Sequence, residues 1–261
     1  MILMAKVILV TSGKGGVGKT TVSANLGYAL SYLGKRVALV EGDIGLNNLD
    51  VALNAEDRIV YDAGDVATGR ASVAQCLIGI NENLFFFPSA TAAVNLITTE
   101  VFLRVVRELK RNFDYVLIDS PAGLEENFHR AAVGAESALI VTTPHISAIR
   151  DGAKTVKKLY SYGIRECGLV VNRVNGEEVL AKRQLSPEEI AEVTEIPLWG
   201  VLPEDDFVNK YTIADSLNRH TDIGMSYSFI ADILNGGERK IYDCVSPYSG
   251  FFNKLKRWIY K

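Results

Sequence analysis

Cysteine is scarce in this 261-residue chain: Cys76, Cys167 and Cys244 stand far apart, and no two of them share a CxxC spacing. That excludes a disulfide framework and a closed zinc site, and it fits a reducing compartment. No apolar run approaches the ~18 residues that a membrane span requires. The opening MILMAKVILV is apolar, but it runs straight into a glycine-rich loop with no small-residue cleavage site, so it reads as a buried first strand and not as a signal peptide. Histidine is equally sparse. His129, His145 and His220 stand in no ligand spacing with cysteines or paired carboxylates, which leaves no histidine-based metal or acid–base centre to expect. Internal repeats and low-complexity segments are missing too. The net charge of −3 provides no general attraction for nucleic acid.

What is present is ordinary globular material. Hydrophobic residues at 48% and charged residues at 23% rule out disorder, and the length suffices for one α/β domain with a large core. Charge is unevenly spread, however. Residues 249–261 hold Lys254, Lys256, Arg257 and Lys261 and no acid, a charge of +4 that leaves −7 on the rest. An acidic body with a basic, aromatic tail predicts two separate jobs.

Short β-branched runs alternate with longer amphipathic stretches. KVILVT (6–11), RVALVEGD (36–43), YVLIDS (115–120), SALIVTTP (137–144) and GLVVNRV (168–174) predict strands covered on both faces, with shorter ones at 84–88 and 198–203. Helices are predicted near 19–33, 98–112, 146–162, 186–194, 207–217 and 225–235. The alternation predicts a doubly wound, mostly parallel sheet flanked by helices on both faces, with ligands at the carboxyl ends of the strands. The domain organisation expected is one α/β domain over 1–235, a glycine-containing linker of mixed charge over 236–249, and a terminal amphipathic helix over 250–261.

The stretch TSGKGGVGKTT (11–21) carries the chemistry. Gly13-x4-Gly18-Lys19-Thr20 follows a strand and opens a helix, the context a phosphate-binding loop requires. Gly13, Gly15, Gly16 and Gly18, with Val17 between them, let backbone N–H groups turn inward around phosphates, and the helix dipole favours the anion. Lys19 is expected to neutralise the β- and γ-phosphates, Thr20 to ligate Mg2+, and Thr21 to touch the α-phosphate. Lys14 is one lysine more than this motif needs. At the rim of the loop it would point outward, either into solvent or toward phosphate brought by a second subunit.

KGGVGKTT resembles the deviant phosphate loop of the ParA/MinD ATPases, and the resemblance covers the whole chain. DIGLNNLD (43–50), RIVYD (58–62), DSPAG (119–123), IRDG (149–152), PED (203–205) and the basic amphipathic C-terminus narrow it to the division-site branch of that family. The resemblance implies an ATPase that dimerises on Mg-ATP, with Lys14 reaching the nucleotide of the opposite subunit. It further implies an anionic membrane surface as partner, a division inhibitor of the MinC kind, an activator of the MinE kind, no nucleic acid, and residence on the cytoplasmic face of the inner membrane. Asp43 and Asp119, each ending a strand, are placed to hold the Mg2+ shell or orient water, and the resemblance puts them in the two switch regions. Two departures from the family pattern adjoin Asp43: Glu41 replaces an aspartate, and Asn47 stands where arginine is frequent. Ala153 is a third departure, where a second aspartate can occur.

Asn172, ending the strand 168–174, is either a turn former or a reader of adenine N6 and N7. The resemblance places adenine near Asn172, Arg173 and the turn Pro203-Glu204-Asp205. Arg150 and Asp151 are either an exposed pair opening a helix or, by resemblance, the surface that binds the activator. Trp199 reads as core. In the tail, Phe251, Phe252, Leu255, Trp258 and Ile259 share one helical face, with Lys254, Arg257 and Lys261 around the other side and Lys256 at a flank. So short a helix is marginal in water but can fold on anionic lipid. Packing on the body is the alternative. The rival readings are a DNA-partitioning ATPase, a flagellar-number regulator of the same family, and an iron–sulfur ATPase, for which no paired cysteines follow Asp119.

Overall fold

The structure is a computed structural model, and it describes residues 5–249 except 46, 91, 93, 122, 124, 125 and 206–220. The predicted helix at 207–217, His220 and the whole tail from 250 lie outside the described residues. Eight strands form one sheet: β1 Lys6–Thr11, β2 Val37–Glu41, β3 Ile78–Gly79, β4 Leu84–Phe87, β5 Tyr115–Asp119, β6 Ser137–Thr142, β7 Glu166–Val174 and β8 Leu198–Pro203. Their order is β3-β4-β2-β5-β1-β6-β7-β8, parallel throughout except for the antiparallel edge pair β3–β4.

Alternation along a parallel strand sends successive side chains to opposite faces, and both faces are dry. In β1, Val7 and Leu9 join one apolar layer with Val116, Ile118, Phe102 and Phe128, while Ile8 and Val10 join the other with Leu26, Leu39 and Tyr227. This is why the strands read as unbroken apolar runs. The helices among the described residues are α1 Lys19–Tyr32, α2 Leu49–Ala52, α3 Ala63–Thr68, α4 Val73–Cys76, α5 Thr99–Lys110, α6 Glu126–Val133, α7 Ile146–Ser161, α8 Gly176–Leu180, α9 Pro187–Thr194 and α10 Asp222–Leu234. Polar side chains start several of them: Thr98 Oγ1 accepts from Val101 N before α5, and Ser186 and Glu189 form a reciprocal capping box on α9.

From β1 the chain winds toward β2, returns through β5 and crosses to β6. The carboxyl end of β1 therefore lies where the winding changes direction, the place where open α/β sheets form ligand crevices. The stretch 236–249, expected as a linker, has little regular structure yet lies on the domain. Cys244 is 5% exposed within a core layer, Ile241, Tyr242 and Val245 pack against that layer, and the Arg239 guanidinium donates to the Leu198 carbonyl at 2.6 Å. Composition marked its irregularity; the apolar side chains spaced through it provide its anchorage.

Candidate nucleotide site

The loop between β1 and α1 owes its path to glycine. Gly16 and Gly18 have φ of 78° and 95°, in the left-handed region that side chains disfavour. At Gly13 the constraint is space, since a Cβ there would come within 2.3 Å of the Asp151 carbonyl group on α7. Helix α1 begins directly after Gly18 with no side-chain cap, leaving its first N–H groups directed at the loop's concavity.

A cleft of about 320 Å³ opens over this loop, lined on one side by Gly15, Gly16, Gly18, Lys19, Thr20 and Thr21. Opposite them stand the carboxylates Glu41, Asp43 and Asp119 from the ends of β2 and β5, together with Arg173 from β7. Asp119 is almost fully buried, and both its oxygens are engaged: Thr20 Oγ1 donates to Oδ2 and Ser23 Oγ to Oδ1, each at 2.7 Å. Burial pushes its pKa up, the bonds from Thr20 and Ser23 and the nearby Lys19 charge oppose that, and Asp43 adds to it. Asp43 is also raised, first by burial, against the pull of Lys19 and a hydrogen bond from Asn127.

Glu41 is raised as well, to about 7, by burial and then by the Asp119 charge. Its carboxylate accepts from the backbone N–H groups of Asp43, Asn48 and Leu49 at 3.2, 3.0 and 2.9 Å, tying the loop after β2 to the strand end. The longer side chain noted in the sequence thus braces the segment that carries Asp43. Three crowded carboxyl groups face two cations in this cleft, the largely buried Lys19 and Arg173. No group of three or more His, Cys, Asp or Glu among the described residues forms a ready-made metal cage. A hydroxyl with two carboxylates fits Mg2+ instead, an ion that takes few protein ligands and completes its shell with phosphate and water.

Lys14 does not line this cleft. Its ammonium donates to Ser147 Oγ at 2.9 Å, on the first turn of α7. Val17 is buried, and its carbonyl accepts from Asn172 Nδ2 at 2.8 Å. The Asn172 Oδ1 accepts from Arg173 N at 2.9 Å, and a Cβ on Gly18 would lie 2.5 Å from the Asn172 amide nitrogen. Asn172 therefore braces the phosphate loop, a use its strand-end position did not reveal. Pro203, Glu204 and Asp205 line a second cavity of about 350 Å³, which Val174 of β7 adjoins next to the cleft-lining Arg173. Arg150 is exposed on α7, and Asp151 pairs with Lys154 at 3.1 Å while its backbone backs Gly13.

Trp199 packs on the core, and a Cβ on Gly168 would lie 1.9 Å from its ring. The tail residues Phe251, Phe252, Lys254, Leu255, Lys256, Arg257, Trp258 and Ile259 lie outside the described residues. Sequence reasoning missed Ser23. The available signal was its spacing: three residues after Thr20, it shares a helical face with that hydroxyl and meets the same carboxylate.

Comparison with known proteins agrees with this geometry. The model of the CobQ/CobB/MinD/ParA nucleotide-binding domain matches residues 8–216. A putative septum site-determining protein MinD of Guillardia theta is 40% identical over 98% of this chain and 97% of its own. Among solved structures, the MinC:MinD cell division complex of Aquifex aeolicus is similar with a TM-score of 0.82 at 38% identity, covering 90% of this chain and 97% of that one. MinD of Pyrococcus horikoshii complexed with Mg-ADP has a TM-score of 0.79 at 30% identity, covering 89% and 96%. With its phosphate loop, its eight-stranded sheet and these relatives, the chain belongs to the MinD family of septum site-determining ATPases, within the MinD/ParA nucleotide-binding domains.

Proposed function

We propose that this chain is a nucleotide-driven switch that carries a division inhibitor to the cytoplasmic face of the inner membrane. The observation that carries the reading is Lys14, held outside its own cleft on α7 and so free of any role in holding its own phosphates. When two copies close over Mg-ATP, Lys14 leaves Ser147 and places its charge on the partner's phosphates, the trans counterpart of an arginine finger. Lys19 and the N–H groups of the loop hold the β- and γ-phosphates. Thr20, Asp43 and Asp119 are the groups that would hold Mg2+, which when bound would neutralise charge on the transferring phosphoryl group. Asp43, on the loop braced by Glu41, orients water for attack on the γ-phosphorus; the bond to the bridging oxygen breaks, and ADP, phosphate and a proton are the products.

Pairing also joins two tails. A single amphipathic tail binds anionic lipid weakly and reversibly, whereas two in one dimer gain about 10²-fold or more by effective concentration. ATP thus favours attachment and hydrolysis favours release. The relative that is solved as a MinC:MinD complex supports an inhibitor of the MinC kind as cargo, and the exposed Arg150 beside Asp151 on α7 offers a surface for an activator. Sedimentation with anionic vesicles tests the switch by comparing Mg-ATP with Mg-ADP, for the full chain and a chain ending at Ser249. Pelleting is expected for the full chain with ATP alone. Equal pelleting with either nucleotide, or pelleting without the tail, would count against it.

A further inference from the structure

The second cavity has a wall that no phosphate-site reasoning requires. One side is the end of β7 and β8, where Glu204 N donates to the Val174 carbonyl at 3.0 Å and Asn175 Nδ2 reaches Glu204 at 3.4 Å. The other side belongs to the C-terminal stretch 239–249, through Tyr242, Cys244, Pro247 and Tyr248. Three anchors hold that stretch to the domain: Arg239 on the Leu198 carbonyl, Tyr242 beside the Asp222 carboxylate at the start of α10, and the buried Cys244; within the stretch, Asp243 Oδ1 accepts from Val245 N and Ser246 N at 2.9 and 3.0 Å. A glycine is required for it to seat. A Cβ on Gly176, at the start of α8, would lie 1.8 Å from the Cys244 carbonyl oxygen and 2.9 Å from the Tyr248 ring. The cavity's 350 Å³ falls within the ~300–1,000 Å³ of small-molecule sites, and it mixes aromatic walls with a few polar groups as such sites do.

We propose that residues 239–249 are a strap that walls the nucleoside end of the nucleotide site, so that seating the nucleoside and seating the strap favour one another. This rests on the reading of the chain as a nucleotide-binding switch. Arg173 lines the phosphate cleft and Val174, the next residue of β7, lines the strap cavity, which places the two within reach of one extended ligand. Tyr242 and Tyr248 supply aromatic faces on which a planar base can stack. Linkage is reciprocal: whatever the strap adds to nucleoside affinity, the nucleoside adds to the strap's hold on the domain. The strap ends at Ser249, immediately before the tail, so the nucleoside pocket and the tail's point of attachment share one segment. A deletion from Gly237 would remove this wall together with the tail, whereas one from Gly250 removes the tail alone.

The test separates the two ends of the ligand. Calorimetric affinities for Mg-ATP and for Mg-tripolyphosphate, which has phosphates and no nucleoside, are compared in the full-length wild type, Gly176→Ala and Tyr248→Ala. A loss of about tenfold for ATP, with tripolyphosphate unchanged, is expected in both variants. A second measurement needs no substitution: trypsin cleavage after Lys240 in the wild type should be slowed by ATP and not by tripolyphosphate. Unchanged ATP affinity in both variants, equal losses for the two ligands, or identical cleavage with either ligand overturns the proposal. Failure of the wild type to bind either ligand would instead overturn the nucleotide reading on which it rests.

Discussion

Replacing Glu41 by glutamine should remove a pH dependence that the nucleotide-free protein owes to this one side chain. The carboxyl is 2% exposed at the end of β2 and accepts three backbone N–H bonds. Burial, then the Asp119 charge, raise its pKa from 4.5 to about 7 in spite of those bonds. In the unfolded chain the value returns to 4.5. Because the folded value is the higher one, the native state holds the proton more tightly than the unfolded chain does. The resulting stabilisation is complete below pH 4.5 and is lost as the pH rises to about 7. That interval corresponds to about 3 kcal/mol. Glutamine is neutral throughout and keeps a carbonyl oxygen for Asn48 and Leu49. E41Q should therefore match the wild type near pH 5 and exceed it by up to about 3 kcal/mol at pH 8. Urea denaturation of both proteins, without nucleotide, at the two pH values measures the difference. A gap between them that stays constant from pH 5 to pH 8 would refute the reasoning, because a carboxyl with an ordinary pKa predicts no widening.

Three further outcomes follow from the site. The wild type should dimerise in Mg-ATP and Lys14→Ala should remain monomeric; ATP-induced dimers of the variant in light scattering would end the case for a trans role. Ser23→Ala leaves the buried Asp119 carboxylate with one partner fewer, and a loss of roughly 1.5–3 kcal/mol is expected in urea denaturation, the range for hydrogen bonds to charged groups. Gly13→Ala forces a methyl to within 2.3 Å of the Asp151 backbone, so α7 and the loop must part. Overpacking of this kind costs about 1–3 kcal/mol, and nucleotide affinity measured by calorimetry should fall with it.

The parallel sheet was legible because its strands are buried on both faces and therefore spell continuous apolar runs. β5 and β8 fall within a residue of the stretches read for them, and β7 begins two residues earlier than expected. The helices α2, α3, α4 and α8, of four to six residues, and α6, of eight, lay outside the helices expected, since so few residues hardly let a helical period show. The edge strand β3, two residues long, is defined only by its partner.

The phosphate loop was determined locally. Its glycines, Lys19 and Thr20 act through backbone geometry and a helix terminus a few residues away, so order along the chain suffices to specify them. What only the tertiary structure decided is every relation across the sheet. Ser23 meets Asp119 over 96 residues, Lys14 meets Ser147 over 133, and Asn172 meets Val17 over 155. The placement of 239–249 against β8 and α8 is of the same kind. Such pairings depend on which strands lie side by side, and no local pattern of residue types carries that information.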